Sequence, residues 1–233
     1  MNPVLRSSAA HLFVASLDAP EPDDGDAHHL FRVLRVRDGE SVTVSDGAGR
    51  WRPTVVRAGS LEVAGDVVAE PAPVRCEVAA AIPKGDRLEW MVQKLTEVGA
   101  TRIVLVHFAR SVVRWDAARA TRQMERLQRV VREAASQSRR VWLPLVEGPV
   151  PAAEVLAEAG AVLLEPAGAD GLRAHLVVVG PEGGCTAEEV AAAQRTAGLG
   201  PTILRVETAA LVAASRVVVD APLSAASSAQ RVK

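Results

Sequence analysis

A glycine-rich segment near the C-terminal end of the chain combines bare backbone with one carboxylate. The segment GPEGG (residues 180–184) follows the apolar stretch Leu176–Val179, and Thr186 with Glu189 then matches the pattern of a helix capping box. Glycines at the carboxyl end of a strand leave backbone amides open to a ligand. A plain strand-to-helix turn is the alternative, but three glycines around a proline and an acid exceed what a turn requires. The pattern therefore favours a ligand loop, although neither the P-loop nor the dinucleotide fingerprint is present.

A second junction of the same kind lies in ILRVETAA (residues 203–210). It places Arg205 and Glu207 between a short apolar stretch and the last helical segment. Taken alone, it fits a surface ion pair with Thr208 as a helix N-cap. Because ligands of α/β sheets bind where strands end, its recurrence beside the glycine-rich segment predicts one shared pocket.

Arginine is concentrated in two stretches of a chain whose net charge is −1. Residues 102–142 carry ten arginines and three acids, a net of +7, and residues 28–37 carry three arginines and no acid. Such clusters favour a phosphate-rich partner, with a solvated surface as the equally weighted alternative. The side chains that we expect to contact such a partner, of which RNA is one, are His29, Arg32, Arg35, Arg37, Arg122, Arg126, Arg129 and Arg140.

Several classes of protein are disfavoured by what the sequence lacks. No stretch approaches the 18 to 20 apolar residues of a membrane span, and the N-terminal region has no secretory pattern. The two cysteines, Cys76 and Cys185, lie far apart, and the five histidines show no metal-ligand spacing. We therefore expect an intracellular protein with no metal, no membrane contact and no disulfide.

The elements that must position these residues fall into two regions, as the length of 233 residues allows. Residues 1–72 contain short β-type segments separated by Asp-Gly turns, which predicts a small barrel or sandwich. These segments are Leu12–Leu17, Val42–Ser45, Thr54–Arg57 and Leu61–Val68.

After the proline-containing linker at residues 71–73, strand and helix patterns alternate. This order predicts an α/β fold with a mostly parallel sheet and helices on both faces. The predicted strands are Val74–Ile82, Ile103–Val106, Leu143–Val146, Ala161–Leu164, His175–Val179 and Thr202–Leu204. The predicted helices are Asp86–Val98, Ala117–Ser136, Ala152–Ala159, Ala187–Ala197 and Thr208–Val219. Asp86 with Glu89 resembles a capping box, and Gly99 is placed to end the first helix.

Five stretches follow one another along the chain: HHLFRVLRVRDGE, IPKGDRLEWMVQKLTEVGA, REAASQSRR, VVVGPEGGCTAEEV and ILRVETAAL. In this order they resemble the ribosomal RNA small-subunit methyltransferase E family, which belongs to the SPOUT class and methylates N3 of a uridine in 16S rRNA. Each is weak alone, but together they span most of the chain and are specific.

The resemblance implies a PUA-like β-barrel domain over residues 1–72 and a SPOUT domain with a deep trefoil knot over residues 73–233. It also implies a cytoplasmic homodimer that acts in ribosome biogenesis on 16S rRNA of the small ribosomal subunit, with S-adenosylmethionine as cofactor. The implied donor-site residues are Leu164, Gly180, Glu182, Gly183, Gly184, Leu204, Arg205, Val206, Glu207, Thr208 and Ala209.

Three positions depart from the family pattern. Val206 stands where the family usually has Thr, Ser136 where a Glu or similar polar residue is usual, and Cys185 where a larger apolar or aromatic residue is common. Loss of the hydroxyl at 206 could weaken one donor contact, and Cys185 could leave a smaller pocket wall. A loop that binds through backbone amides tolerates such changes.

The chemistry of uridine suggests roles for three residues. Its N3 carries a proton and is a poor nucleophile until that proton leaves, so a base or an anion-stabilising cation is useful. Arg205 is the candidate for the electrostatic role, and Glu182 or Glu207 is the candidate proton acceptor, although either could instead anchor the donor. The target base must leave any stack to reach the site.

Two other functions fit the same sequence. One is a SPOUT enzyme with a different target, such as a ribose 2′-hydroxyl of tRNA, which the barrel-first order disfavours. The other is a non-catalytic RNA-binding or assembly factor that kept the fold. Both enzymes would bind the methyl donor and the non-catalytic factor would not, so donor binding distinguishes them.

Overall fold

The computed structural model describes residues 2–166, 168, 169 and 171–220, and these form two compact units. The first unit holds the described residues up to Ala72 together with Arg132–Leu143. The second holds residues 73–131 and the described residues from 144 onward. Residues 221–233 of the predicted second domain lie outside the described residues.

The first unit is built on a five-stranded sheet with the order β1-β2-β3-β4 and with β5 paired to β3. β1 and β2 are parallel, and the other pairs are antiparallel. The strands are β1 (Ala10–Phe13), β2 (Ser41–Ser45), β3 (Arg50–Arg57), β4 (Ser60–Val63) and β5 (Val68–Ala69). The observed β1 and β4 are therefore shorter than the predicted strands Leu12–Leu17 and Leu61–Val68, and both begin earlier in the chain.

Two helices of the first unit were not predicted from its β-type pattern. α1 spans Pro3–Ser7, and α2 spans Asp24–His28 and continues into a π-helical turn at His29–Val33. Asp23 caps α2, because its side chain accepts a hydrogen bond from the Asp26 amide at 2.7 Å. Leu30 anchors the π-helical turn in the core of this unit, where it is fully buried.

Arg132–Leu143 belongs to the first unit because its backbone pairs with the loop between β2 and β3. The Gly49 amide donates to the Val141 carbonyl at 3.0 Å, and the Leu143 amide donates to the Gly47 carbonyl at 2.9 Å. The predicted domain boundary between residues 72 and 73 places this segment in the second domain. A boundary drawn from the proline linker could not include a stretch that returns from later in the chain.

His11 of β1 is buried in the core of the first unit, where it is 2 % exposed. Its Nδ1 lies 2.9 Å from the Thr43 hydroxyl, and its Nε2 lies 3.1 Å from the Arg140 carbonyl oxygen. Burial, and secondly the charge of Arg139, lowers the pKa of His11 to about 4. The ring is therefore neutral in the folded protein and donates through Nε2 to the carbonyl.

This burial predicts acid sensitivity. In the unfolded chain, His11 binds a proton below its ordinary pKa of about 6.5, whereas in the folded protein it binds one only near pH 4. The contribution of neutral His11 to stability is therefore fully present above pH 6.5 and is lost as the pH falls towards 4. We expect the free energy of unfolding to fall by about 3 kcal/mol across this window from His11 alone. Urea unfolding of wild type and His11→Gln at several pH values measures this. Parallel pH profiles of the two proteins would contradict it.

The second unit contains a six-stranded sheet with the order β11-β9-β10-β6-β7-β8, in which every pair is parallel. The strands are β6 (Glu77–Ala81), β7 (Arg102–His107), β8 (Leu145–Pro151), β9 (Ala161–Leu164), β10 (Leu176–Val179) and β11 (Thr196–Ala197). Every residue of β6 and β10 is buried, so both faces of the sheet are covered. The predicted α/β fold with a parallel sheet is confirmed.

The helices of this unit are α3 (Arg87–Val98), α4 (Ala117–Gln137, of which residues 117–131 belong here), α5 (Ala152–Leu156), α6 (Ala187–Ala192) and α7 (Val206–Val219). α7 packs on α3 and against β6 and β10, while α5 packs against β7, β8 and β9. None of the helices in the described ranges is long and apolar enough to cross a membrane.

Helix ends follow the predicted signals in two cases and depart from them in a third. Thr186 and Glu189 form the complete capping box of α6, and Gly99 ends α3 in a left-handed conformation with φ of 119°. Asp86 precedes α3 but makes no capping hydrogen bond, because its backbone already has a helical conformation with φ of −68° and ψ of −11°. The predicted Asp86 capping box is therefore wrong.

Two predicted elements near the C-terminal end of the sheet are also wrong. Ala187–Ala197 is helical only as far as Ala192, because the following residues pair with β9: the Leu163 amide donates to the Arg195 carbonyl at 2.9 Å. Thr202–Leu204 is not a strand but a largely exposed loop before α7.

Candidate active site

A cavity of about 810 Å³ lies at the carboxyl ends of β9 and β10. Three segments form it: the loop after β9, the glycine turn at residues 180–184, and the chain leading into α7. The predicted donor residues that line this first cavity are Leu164, Gly180, Glu182, Gly183, Gly184, Leu204, Arg205, Val206 and Ala209. The structure thus brings together two junctions that are separated in sequence.

Two predicted donor residues do not line the first cavity. Thr208 is exposed on the first turn of α7, and Glu207 is buried at 6 % exposure. Further residues, which the sequence did not indicate as part of the donor site, also line the first cavity. They are Arg87, Glu165, Pro166, Val179, Pro181, Leu199, Gly200, Thr202 and Ile203; Cys185, expected as a pocket wall, lines the cavity as well.

The glycine turn is held from outside by an arginine that the sequence did not assign to it. One guanidinium nitrogen of Arg110 lies 3.3 Å from the carbonyl oxygens of both Gly183 and Cys185. Gly184 has a φ of +72°, a conformation that favours glycine. A side chain at Gly180 would meet the Cys185 Sγ at 2.6 Å. The turn therefore depends on glycine at two points and on Arg110 for its position.

Arg87 connects the two junctions through their carboxylates. Its Nη1 donates to Glu182 Oε1 at 2.6 Å and to Glu207 Oε1 at 3.4 Å. Oε2 of Glu207 is buried and has no hydrogen-bond partner among the described residues. A single guanidinium thus links the glycine turn to the start of α7.

The surroundings of Glu182 make it a weak proton acceptor. The hydrogen bond from Arg87 lowers the pKa of this carboxyl, and the charges of Lys84 and Arg205 act in the same direction. A carboxylate whose charged form is stabilised in this way has little tendency to take a proton. The geometry therefore favours binding over proton abstraction for Glu182.

Arg205 lies at the N-cap position of α7 and lines the first cavity with an exposed side chain. No ion pair of Arg205 is present within the described part of the chain. Its charge is therefore available to an anion in the cavity, in contrast to Arg87.

Cys185 contributes an apolar wall rather than a nucleophile. Burial, and secondly the nearby Glu165, raises the pKa of its thiol to about 12. The thiol is therefore neutral at physiological pH. Cys185 lines the first cavity at a position where larger side chains are common in the family that the chain resembles.

The remaining wall depends on close backbone contact between the loops after β9 and β11. The Glu165 amide donates to the Ala197 carbonyl at 3.0 Å, and the Gly198 amide donates to the Ala169 carbonyl at 2.9 Å. A Cβ atom at Gly168 would lie 2.4 Å from the carbonyl carbon of Ala197. Only glycine allows this approach.

The predicted RNA-contacting residues are divided between the two units. His29, Arg32, Arg35 and Arg37 are exposed on and after the π-helical turn of the first unit. Val33 and Leu34 beside them are 57 % and 47 % exposed, which adds apolar surface to the segment. This segment therefore combines charge with exposed apolar groups.

The other four predicted residues follow or lie on α4. Arg140 is half-buried in the first unit, and Arg122, Arg126 and Arg129 are exposed on the part of α4 in the second unit. Arg126 pairs with Glu89 at 2.8 Å, so its charge is partly neutralised. The described residues contain no group of three or more His, Cys, Asp and Glu side chains that could hold a metal ion.

Family models match both units. A model described as an RNA methyltransferase domain matches residues 70–218, and one described as an RNA methyltransferase PUA domain matches residues 22–62. The first covers more than half of the chain and includes every segment that lines the first cavity.

Curated relatives and solved structures agree with these matches. The chain is 32 % identical to ribosomal RNA small subunit methyltransferase E of Bacillus subtilis, over 82 % of this chain and 86 % of that protein. Its identity to the protein of the same name from Mycobacterium bovis is 36 %, over 82 % of each chain. The Neisseria gonorrhoeae protein of that name, solved bound to S-adenosyl methionine, matches with a TM-score of 0.76 and 28 % identity over 88 % of this chain and 95 % of that one.

Proposed function

Because the chain belongs to the ribosomal RNA small subunit methyltransferase E family, we propose that it transfers a methyl group from S-adenosylmethionine to N3 of a uridine in 16S rRNA. It is an α/β enzyme with a PUA-type domain in its N-terminal region. The specific base and atom rest on the family resemblance.

One observation carries the proposal: the glycine turn after β10 and the segment before α7 line the same cavity at the carboxyl edge of a parallel sheet. Its volume of about 810 Å³ is within the range of small-molecule sites. Gly180 and Gly184 leave bare backbone for the adenosine part of a cofactor, and the carboxylate of Glu182 suits its cationic amine or sulfonium group. The residues present therefore fit the proposed donor.

When bound, S-adenosylmethionine supplies an activated methyl group, so the protein has mainly to align the acceptor and stabilise its anion. Arg205 would stabilise the negative charge on the uracil ring as its N3 proton leaves. Glu182 would anchor the donor, since Arg87 keeps it a weak base. Glu207 would hold Arg87 in place by accepting its hydrogen bond.

The same family resemblance supports further parts of the proposal. The chain would work in the cytoplasm as a homodimer on the small ribosomal subunit, with a trefoil knot in its second unit and phosphates bound by the predicted arginines. Trp90 on α3 and Ile203 at the rim of the first cavity are 41 % and 88 % exposed. A second subunit would cover such apolar surface, and light scattering in solution would measure its presence.

Methylation of small ribosomal subunits tests the proposal directly. The protein would be incubated with radiolabelled S-adenosylmethionine and small subunits that lack the modification, and the rRNA would then be digested to nucleosides. We expect label in N3-methyluridine. Label in a 2′-O-methylated nucleoside would overturn the choice of acceptor atom. If a calorimetric titration with the donor gave no heat of binding, the proposal that the protein is a methyltransferase would be overturned.

A further inference from the structure

A second cavity of about 500 Å³ lies on the same edge of the sheet as the first, beyond the carboxyl ends of β6 and β7. Its walls are the loop from β6 into α3, the loop after β7, and one face of α4. The lining residues used below are Lys84, Glu89, Arg114, Trp115, Arg119 and Arg126. None of these residues lines the first cavity.

The two cavities share one short wall. Lys84, Gly85 and Asp86 line the second cavity, whereas Arg87, the next residue along the chain, lines the first. The charge of Lys84 acts on Glu182 across this wall and lowers the pKa of its carboxyl. A polymer with one unit in the first cavity would therefore have its neighbouring unit close to the second.

The second cavity is cationic. Lys84, Arg114, Arg119 and Arg126 line it with two acids, and Arg126 is already paired with Glu89 at 2.8 Å. No ion pair of Lys84 or Arg119 occurs within the described part of the chain, so both charges remain available. Phosphate is the anion that such flexible, unpaired cations commonly bind.

The second cavity also offers an aromatic surface. Trp115 is half-buried in its wall, and Arg114 holds the loop that carries it by donating to the carbonyls of Phe108 and Ala109, each at 3.1 Å. An indole beside unpaired cations is the combination that single-stranded nucleic acid uses, with bases stacked on rings and phosphates on cations.

We propose that the second cavity binds the nucleotide adjacent to the target nucleotide in the RNA substrate, with its base on Trp115 and its phosphate on Lys84 and Arg119. The inference rests on the proposed function, because it takes the RNA as the substrate of the first cavity. It adds a strand-holding site that keeps the target base extruded while the first cavity is filled.

Fluorescence anisotropy with a labelled single-stranded oligoribonucleotide tests the site. We expect Trp115→Ala to weaken binding by about tenfold and Trp115→Phe to weaken it less, because phenylalanine retains a stacking surface. Arg119→Ala should weaken binding and reduce its salt dependence by about one phosphate contact, whereas Arg173→Ala, an exposed arginine outside both cavities, should do neither. Wild-type affinity in Trp115→Ala would overturn the proposal.

Two further measurements separate this inference from the proposed function. All variants should bind S-adenosylmethionine with wild-type affinity in calorimetry, because none of the substituted residues lines the first cavity. A wild-type protein that methylates nothing would end the proposed function, whereas weaker oligoribonucleotide binding by Trp115→Ala would still identify the second cavity as a site for single-stranded RNA. If Trp115→Ala instead changed the subunit number in light scattering, the second cavity would be part of a protein interface and the inference would be wrong.

Discussion

Replacement of Arg205 by alanine is expected to reduce kcat by about 100-fold, the cost typical of removing one group that stabilises developing negative charge. Arg205 lines the first cavity with an exposed side chain and forms no ion pair within the described residues, so its charge can act on the acceptor as well as on the nearby Glu182. Single-turnover methylation of small subunits at saturating donor would measure the loss.

The pH dependence of the Arg205 variant separates electrostatic catalysis from a structural effect. If Arg205 stabilises the uridine anion, activity of Arg205→Ala should rise more steeply with pH than that of wild type, because alkaline solution assists the departure of the N3 proton. The Arg195→Ala variant, which alters another exposed arginine of the same unit, is the control and should behave as wild type. Wild-type turnover in Arg205→Ala would remove the assignment.

Replacement of Arg87 by alanine is expected to raise the Kd for S-adenosylmethionine by about tenfold or more, the effect of losing a charge-assisted contact that fixes a binding loop. Arg87 holds Glu182 on the glycine turn and Glu207 at the start of α7. Without Arg87, the glycine turn and the start of α7 lose the side chain that links them. Calorimetric titration with the donor measures the change.

A double substitution distinguishes a role in cofactor binding from a role in folding. Arg87→Ala alone should lower the Tm, because it leaves the carboxylate of Glu207, whose side chain is 8 % exposed, without its cation. Arg87→Ala combined with Glu207→Gln should regain the Tm but not the donor affinity. Recovery of both in the double variant would show that Arg87 only supports the fold.

Local patterns predicted much of the fold correctly. The predicted helix Asp86–Val98 forms α3, in which Leu88, Met91, Val92 and Leu95 recur at i, i+3, i+4 and i+7 and are all buried. Ala161–Leu164 forms β9 with the predicted bounds. Such features depend on residues close in sequence, so periodicity and capping patterns are sufficient to find them.

Features that depend on distant residues could not be predicted from patterns. Arg87 reaches Glu182 across 95 positions, and Arg110 reaches Gly183 across 73, and nothing local indicates either partner. The edge strand β11 was missed for the same reason, because the helix-favouring residues before it yield to pairing with β9. The glycine turn itself was found, because bare backbone after an apolar strand is a local signal.

The return of Arg132–Leu143 to the first unit has a consequence for how the nascent chain folds. The ribosome delivers a protein from its N-terminus, and early domains usually fold first. Here the backbone partners of Gly47 and Gly49 emerge only after β6, β7 and the whole of α4 have been made. The unit that is synthesised first therefore remains incompletely paired until two strands and a long helix of the second unit have also been synthesised.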